Sequence, residues 1–94
     1  MDNKIMLEFD KTLVALAGNL FGRSIYDSQV KGKVDEKNTI HIEFPPRIRM
    51  VASSFVQGFF HDWVEKYGID GTKELVHVCS ENADIIAKIY QNML

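Results

Sequence analysis

The sequence predicts an α/β fold: a small four-stranded mixed sheet packed by three helices, with elements in the order β-β-α-β-α-β-α. Two patterns predict it. Short stretches alternate apolar and polar residues, which is typical of strands, and longer stretches repeat apolar residues three and four positions apart, which is typical of helices. The chain has 94 residues, of which 46% are hydrophobic and 26% charged, and this composition suits one domain with one core. We therefore treat residues 1–94 as a single domain.

The first half of the chain is expected to form two strands and a helix. Residues 5–9 alternate apolar with more polar side chains, which indicates a strand with one buried face. The apolar run 12–16 fits either a second strand or the first turn of a helix, and periodicity does not decide between them. Residues 19–30 show helical spacing. Gly22 lies on the apolar face of this helix, so we expect it to permit close packing against the sheet.

The second half is expected to add a strand, a long helix, a further strand and a closing helix. Residues 40–44 alternate as a strand does, and two prolines follow them. The long helix after this strand carries two adjacent rows of apolar side chains, and Gly68 should end it. Residues 75–79 form the last strand, and Ser80 or Asn82 caps the closing helix. A helix joins the last two strands, so these strands should be parallel.

The junction between the third strand and the long helix carries a recognisable pattern. The strand ends at Glu43-Phe44, and after a short loop the helix opens at Ser54-Phe55. With the later strand that ends at Cys79, this pattern resembles the STAS-like family of unknown function and, more distantly, the STAS domains of anti-sigma-factor antagonists. The resemblance implies a non-enzymatic regulatory module that binds another protein, such as a kinase-like or anti-sigma-type partner, in a stoichiometric complex.

The resemblance also implies where that partner would dock. The start of the long helix and the loop before it would form the contact surface, and phosphorylation of a serine there would gate binding. Ser54 matches the family's phosphorylated position better than Ser53, although either hydroxyl would also serve as an ordinary N-cap. The candidate partner-binding residues are Arg47, Arg49, Ser53, Ser54, Gln57 and His61.

The aromatic side chains of the long helix raise a second possibility for binding. Two full apolar rows are more than two other helices of a small domain are expected to cover. We therefore predict that at least one of Phe59, Phe60 and Trp63 is partly exposed in the monomer, where it would anchor a partner or a second copy of the chain.

Two groups of residues invite a chemical interpretation that their spacing does not support. His41, His77 and Cys79 would share a sheet face if their strands are neighbours, but a structural zinc site needs four ligands, so we predict a half-buried strand face and no metal site. His61 and Asp62 are adjacent on a helix and do not face each other. No nucleophile–base set or phosphate-binding glycine loop is present, so we expect neither an enzyme nor a cofactor.

Charge and cysteine content limit the partners further. The formal net charge is -2 with no basic stripe, so direct nucleic-acid binding is not expected. The single cysteine suits a reducing compartment, and no apolar run reaches the length of a signal peptide core or a membrane span, so we expect a cytoplasmic protein. Two alternatives stay open: a homodimer, and a stand-alone inhibitor or adaptor from a mobile element that masks a nucleic-acid-handling enzyme.

Overall fold

The computed structural model describes residues 3–93, which form three helices and five strands. Within this range, no helix has both the length and the apolar character needed to cross a membrane. The elements in chain order are β1 (Lys4–Met6), β2 (Ala15–Leu16), α1 (Asn19–Gln29), β3 (Ile40–Glu43), β4 (Met50–Val51), α2 (Ser53–Leu75), β5 (Val76–Cys79) and α3 (Ala83–Gln91).

The main sheet contains β1, β3 and β5, in that spatial order, with every pairing parallel. In the central row, Ile42 of β3 lies between Ile5 of β1 and Val78 of β5. The parallel pairing of β3 and β5 confirms the prediction made from the helix that joins them. β2 and β4 form a separate parallel pair, in which Leu16 lies beside Val51.

The α/β class and the three helices are confirmed, but the four-stranded mixed sheet is not what the structure contains. The strand predicted at 12–16 is only two residues long and pairs with β4, a strand that the sequence did not indicate. Pro45 and Pro46 follow β3 and donate no backbone N–H, so the ladder of the main sheet stops there and the chain starts a new pairing. A two-residue strand is too short to show an alternating pattern.

The two long helices approach each other closely at a pair of glycines. A Cβ atom added to Gly22 of α1 would overlap the carbonyl oxygen of Phe55, and one added to Gly58 of α2 would overlap that of Asn19. Each helix therefore lets the backbone of the other come close. Gly22 was expected to pack against the sheet; its neighbour is instead α2, because α1 lies against that helix along much of its length.

Gly68 interrupts α2 without ending it. Its φ of 76° and ψ of 173° are non-helical, and the positive φ favours glycine because a side chain there would be strained. The helical geometry is thus interrupted at the predicted residue, but the prediction that the helix ends there is wrong, because the chain turns helical again and continues to Leu75. The last strand consequently starts at Val76, one residue later than predicted.

The aromatic rows of α2 form the centre of the core. The prediction that one of three ring residues is partly exposed is wrong: Phe59, Phe60 and Trp63 are 0%, 1% and 1% exposed. The ring of Tyr26 on α1 lies edge-on to Trp63, with centroids 5.1 Å apart, and Phe44 from the end of β3 contacts Phe59 from the other side. The close approach of α1 and α2 at the two glycines lets α1 cover aromatic side chains that we expected a domain of this size to leave exposed.

The main sheet is covered on one face only within the described part of the chain. The inward-facing side chains, such as Ile42 and Val78, are buried against the helices. Parallel sheets are usually covered on both faces. The side chains on the opposite face are all half-buried or exposed: Lys4, Met6, His41, Glu43, His77 and Cys79.

Candidate protein-binding surface

The two serines stand at the start of α2, as predicted, but neither caps it. The N-cap residue is Ala52, and no side chain makes a capping hydrogen bond. The hydroxyl oxygen of Ser54 instead accepts a hydrogen bond from the backbone N–H of Gly18, at 2.9 Å. The N-cap interpretation is therefore wrong, because the Ser54 side chain turns toward the start of α1 and joins the first turns of the two helices.

Ser53 points the other way and begins an exposed row along α2. Gln57, His61 and Glu65 follow it at intervals of four residues, and all four are exposed, as residues one turn apart on the same helix face should be. The Nε2 atom of His61 lies 2.8 Å from a carboxylate oxygen of Glu65. This contact holds two polar side chains in place over the outer surface of the helix.

A groove of about 380 Å³, which we call the α2 groove, lies beside this row. Its floor is apolar and its rim is polar, an arrangement typical of binding sites for ligands and protein anchors. The floor is formed by Val56, Phe60, Val64 and Met93, and the rim by Asn19, Gln57, His61 and Glu65.

The structure brings together only part of the predicted contact set. Gln57 and His61 line the α2 groove and Ser53 begins the same exposed row. The Nη2 atom of Arg47 donates hydrogen bonds to the carbonyl oxygens of Phe9 and Asp10, at 2.6 and 3.3 Å, so this guanidinium supports the segment after β1.

Arg49 is exposed just before β4 and does not line the groove. Its backbone N–H donates to the carbonyl oxygen of Val14, at 2.7 Å, which extends the pairing of β2 with β4. In the loop before α2, therefore, Arg49 contributes through its backbone, and the Arg47 side chain supports the segment after β1.

Several groove residues were not among the predicted partner-binding residues. Val56, Phe60 and Val64 belong to the apolar rows of the long helix, and of these only Phe60 was among the three rings expected to leave one partly exposed. Glu65 lies four residues after His61, which is the spacing of a helical pair. Asn19 and Met93 reach the groove from opposite parts of the chain, and only the tertiary fold brings them there.

The histidines and the cysteine of the main sheet share its uncovered face, as expected for neighbouring strands. The rings of His41 and His77 lie edge-to-face with centroids 5.4 Å apart. The Cys79 sulfur lies 4.0 Å from the carbonyl oxygen of His77. Among residues 3–93, no three histidine, cysteine or acidic side chains converge closely enough to hold a metal ion.

His61 and Asp62 take part in different contacts. His61 pairs with Glu65 along the outer row, whereas a carboxylate oxygen of Asp62 lies 4.0 Å from the guanidinium of Arg23 on α1. The two side chains therefore serve different surfaces of α2, one the groove and the other the helix crossing.

A cluster of polar side chains that does not line the groove surrounds Glu36 in the loop before β3. Its carboxylate accepts hydrogen bonds from Lys66 at 2.8 Å, Tyr67 at 2.6 Å and Trp63 at 3.2 Å. The bond from Lys66, and after it the one from Tyr67, lowers the pKa of Glu36, while the bond to Glu36, and after it the one with Tyr67, raises the pKa of Lys66. This cluster fastens the loop to α2.

The α2 groove thus combines a largely buried apolar floor with an exposed polar rim, most of which α2 supplies. Comparison of the chain with protein-family models, with curated proteins and with solved structures found no match.

Proposed function

We propose that this protein is a STAS-like regulatory module that binds another protein stoichiometrically through the α2 groove. The observation that carries the proposal is the groove itself: an apolar floor beside an exposed polar row that begins at the first residue of α2. The resemblance to STAS-like domains favours the same helix start as the docking surface, and a kinase-like or anti-sigma-type protein as the partner.

The chemistry of the groove fits an apolar anchor from a partner. The buried Val56 and Phe60 provide a floor that is already in place, so ordering it on binding costs little. Gln57 and His61 at the rim offer hydrogen bonds to the partner's backbone or polar side chains. Interfaces of this kind obtain most of their affinity from one or two well-buried anchors surrounded by polar contacts.

The gate of the proposed switch is Ser53 rather than Ser54. Ser53 is exposed, whereas the Ser54 hydroxyl is partly buried and already bonded to Gly18. A phosphate on Ser53 would lie at the N-terminus of α2, where the helix dipole favours negative charge. It would add a charge of about -2 one turn from Gln57 and so change the rim that a partner meets.

Affinity capture from the source cell with paired variants tests the proposal. Gln57→Arg places a bulky cation at the rim, and Gln91→Arg makes the same change at an exposed residue of α3 that does not line the groove. We expect the wild type and Gln91→Arg to retain one protein in a 1:1 complex. Gln57→Arg should weaken that complex about tenfold or more, because the longer charged side chain would obstruct the apolar anchor that enters the groove.

A third bait, Ser53→Asp, tests the gate, and its yield of the same complex should differ from that of the wild type. Equal retention by Gln57→Arg and Gln91→Arg would place the binding surface elsewhere. If the retained protein handles nucleic acid, the partner class proposed here is wrong and the inhibitor alternative is supported.

A further inference from the structure

The two edges of the main sheet are closed to different extents, beginning with the edge at β5. In a parallel ladder, alternate residues direct their backbone groups away from the neighbouring strand. On β5 these residues are Val76 and Val78. The Tyr90 hydroxyl of α3 donates to the carbonyl oxygen of Val76 and accepts from the N–H of Val78, both at 2.9 Å. One side chain therefore occupies the hydrogen-bonding positions that a further strand would use.

At the β1 edge, the backbone is capped only at Glu8, two residues after the strand ends. The side-chain amide of Gln29 accepts from the N–H of Glu8 and donates to its carbonyl oxygen, both at 2.8 Å, and so pairs with Glu8 as another peptide unit would. Within the strand, the outward backbone groups belong to Lys4 and Met6. Among residues 3–93, these N–H and C=O groups have no hydrogen-bond partner.

Side-chain exposure marks the same edge as incomplete. Ile5 is only half-buried, although the inward-facing residues of β3 and β5 are buried. On the other face Met6 is 65% exposed. A groove of about 270 Å³ runs along the edge and is lined by Lys4, Ile5, Met6, Glu8, Gln29 and Lys33. The strand itself is held in position, because the side-chain oxygen of Asn3 accepts from the backbone N–H of Asp35 at 2.8 Å.

We infer that β1 is the interface of a homodimer, in which the β1 strands of two copies pair in antiparallel orientation across a two-fold axis. With the axis at Ile5, the outward N–H and C=O groups of Lys4 in each copy pair with those of Met6 in the other copy. This register forms hydrogen bonds with every free donor and acceptor of the strand. The two three-stranded sheets then become one six-stranded sheet.

The side chains favour this self-pairing and this register. Ile5 of each copy lies directly opposite the other in a closely spaced, non-hydrogen-bonded pair, which covers the one inward-facing residue that the monomer leaves half-exposed. The Met6 side chain packs along the aliphatic stem of Lys4 of the second copy. A register centred on Lys4 would instead place two lysines opposite each other, which like charges disfavour.

Sedimentation equilibrium of the purified full chain tests the inference. A three-residue strand pair buries less surface than a standard interface, so we expect a weak dimer, with the average mass rising from one chain toward two between about 10 µM and 1 mM. Met6→Pro removes the outward N–H and leaves the pairing of β1 with β3 intact. Met6→Leu keeps that N–H and nearly the same side-chain volume. The dissociation constant should rise about tenfold or more in Met6→Pro and stay within about threefold in Met6→Leu.

Amide hydrogen exchange of the wild type gives a second measurement that needs no variant. The amides of Lys4 and Met6 should exchange rapidly in dilute protein and become protected as concentration rises, while that of His41, bonded within the monomer at 2.8 Å, should not change. A wild type that stays monomeric over the whole range, or a dimer that protects neither edge amide, overturns the inference. A monomer that captures extended segments of other proteins overturns it as well.

Discussion

A single carboxylate in the loop before β3 connects that loop to α2 through three side-chain donors. Glu36 is half-buried. Its two shortest hydrogen bonds come from the adjacent residues Lys66 and Tyr67 of α2. The indole N–H of the otherwise buried Trp63 also reaches this carboxylate, so the polar end of a core side chain is satisfied at the surface. Buried indoles usually find such a partner.

Replacement of Glu36 by Gln should make stability depend less on pH. The lowered pKa of Glu36 means that its stabilising contribution is fully present above the unfolded-state pKa, near 4.5, and is lost as the pH falls through the folded-state value. We expect Glu36→Gln to lower the free energy of unfolding by about 1 to 2 kcal/mol at pH 7, a modest value because solvent screens the partly exposed cluster. The deficit should shrink in acid below that unfolded-state pKa.

Urea denaturation at neutral and acid pH measures this difference, with Glu81→Gln as the control. Glu81 is exposed, so its replacement should have little effect at either pH. A deficit for Glu36→Gln that is equally large in acid and at neutral pH would show that the cluster acts through packing rather than charge.

The residue scale also shows where the sequence stopped being informative. That the serines start a helix could be predicted from the strand, the prolines and the apolar rows around them. The direction of each hydroxyl could not, because the partner of Ser54 is the N–H of Gly18, 36 residues away. Arg47 was assigned to a contact surface for the same reason: its carbonyl partners, Phe9 and Asp10, come from a distant segment.

At the scale of elements, the crossing of α1 and α2 depends on two glycines that face opposite helices. Glycine within a helix costs about 1 kcal/mol relative to alanine. Gly22 and Gly58 are kept at this cost where the partner's backbone leaves no space for a methyl group. The crossing in turn positions Tyr26 on the aromatic rings of α2 and so completes the core.

Substitution of either glycine by alanine should destabilise the protein, although alanine has the higher helix propensity. The added methyl group would meet a backbone carbonyl, which cannot move aside as a side chain can, so α1 and α2 must separate. We expect Gly58→Ala and Gly22→Ala each to cost about 2 to 3 kcal/mol. Thermal or denaturant unfolding monitored by circular dichroism measures the loss.

Gly71→Ala is the matched control for this pair. Its added methyl group would meet only the Tyr67 side chain, at 3.0 Å, so its effect should stay within about 1 kcal/mol. Wild-type stability in Gly58→Ala would mean that the helices have room to part without loss of core packing.

Elements long enough to contain several apolar repeats could be predicted from the sequence. Elements that depend on pairing with another short strand could not be located in this way. The three helices and the strand Ile40–Glu43 carry enough apolar repeats to identify themselves. The two-residue strands β2 and β4 pair with each other. β2 was predicted only as part of an apolar run that a helix would also fit, and β4 was not predicted because it shows no alternating pattern. The sequence indicated that Gly68 would interrupt the helix, but not that helical structure would resume after it. The segment beyond Gly68 is held by contacts such as the hydrogen bond from the Thr72 hydroxyl to the Gly68 carbonyl oxygen, at 2.8 Å.

At the scale of the whole molecule, the helices and the sheet share one apolar core, and two polar side chains also tie helices to the sheet edges. Gln29 at the end of α1 bonds to the backbone of Glu8, just beyond β1, and Tyr90 on α3 bonds to the backbone of the edge strand β5. The Tyr90 contact also blocks the β5 edge against further strands, which natural sheets need in order to avoid aggregation. The candidate binding surface on α2 lies apart from both edges, so a complex at the α2 groove and a dimer at β1 are compatible.

Removal of the Tyr90 hydroxyl should therefore weaken the whole fold rather than only α3. In Tyr90→Phe, the carbonyl oxygen of Val76 and the N–H of Val78 lose their partner, and the ring that remains still keeps water from them. An unsatisfied buried backbone group costs about 1 to 3 kcal/mol, and we expect a loss of that size in denaturant unfolding. Tyr26→Phe is the control, because no hydrogen bond reaches the Tyr26 hydroxyl from any other residue in the range 3–93. Burial, and after it the nearby carboxylate of Asp62, raises the pKa of Tyr26.

The two tyrosine variants remove the same atom from similar rings, so their comparison isolates the hydrogen bonds at the sheet edge. Tyr26→Phe should change the free energy of unfolding by less than about 0.5 kcal/mol, as changes away from such networks do. Hydrogen exchange locates the effect: the amide of Val78 should exchange faster in Tyr90→Phe, whereas the Phe44 amide, bonded to the Cys79 carbonyl oxygen at 2.9 Å, should change only with global stability. Equal losses in the two variants would mean that Tyr90 holds α3 on the sheet by ring packing alone, and that the β5 edge is closed by bulk rather than by its hydroxyl.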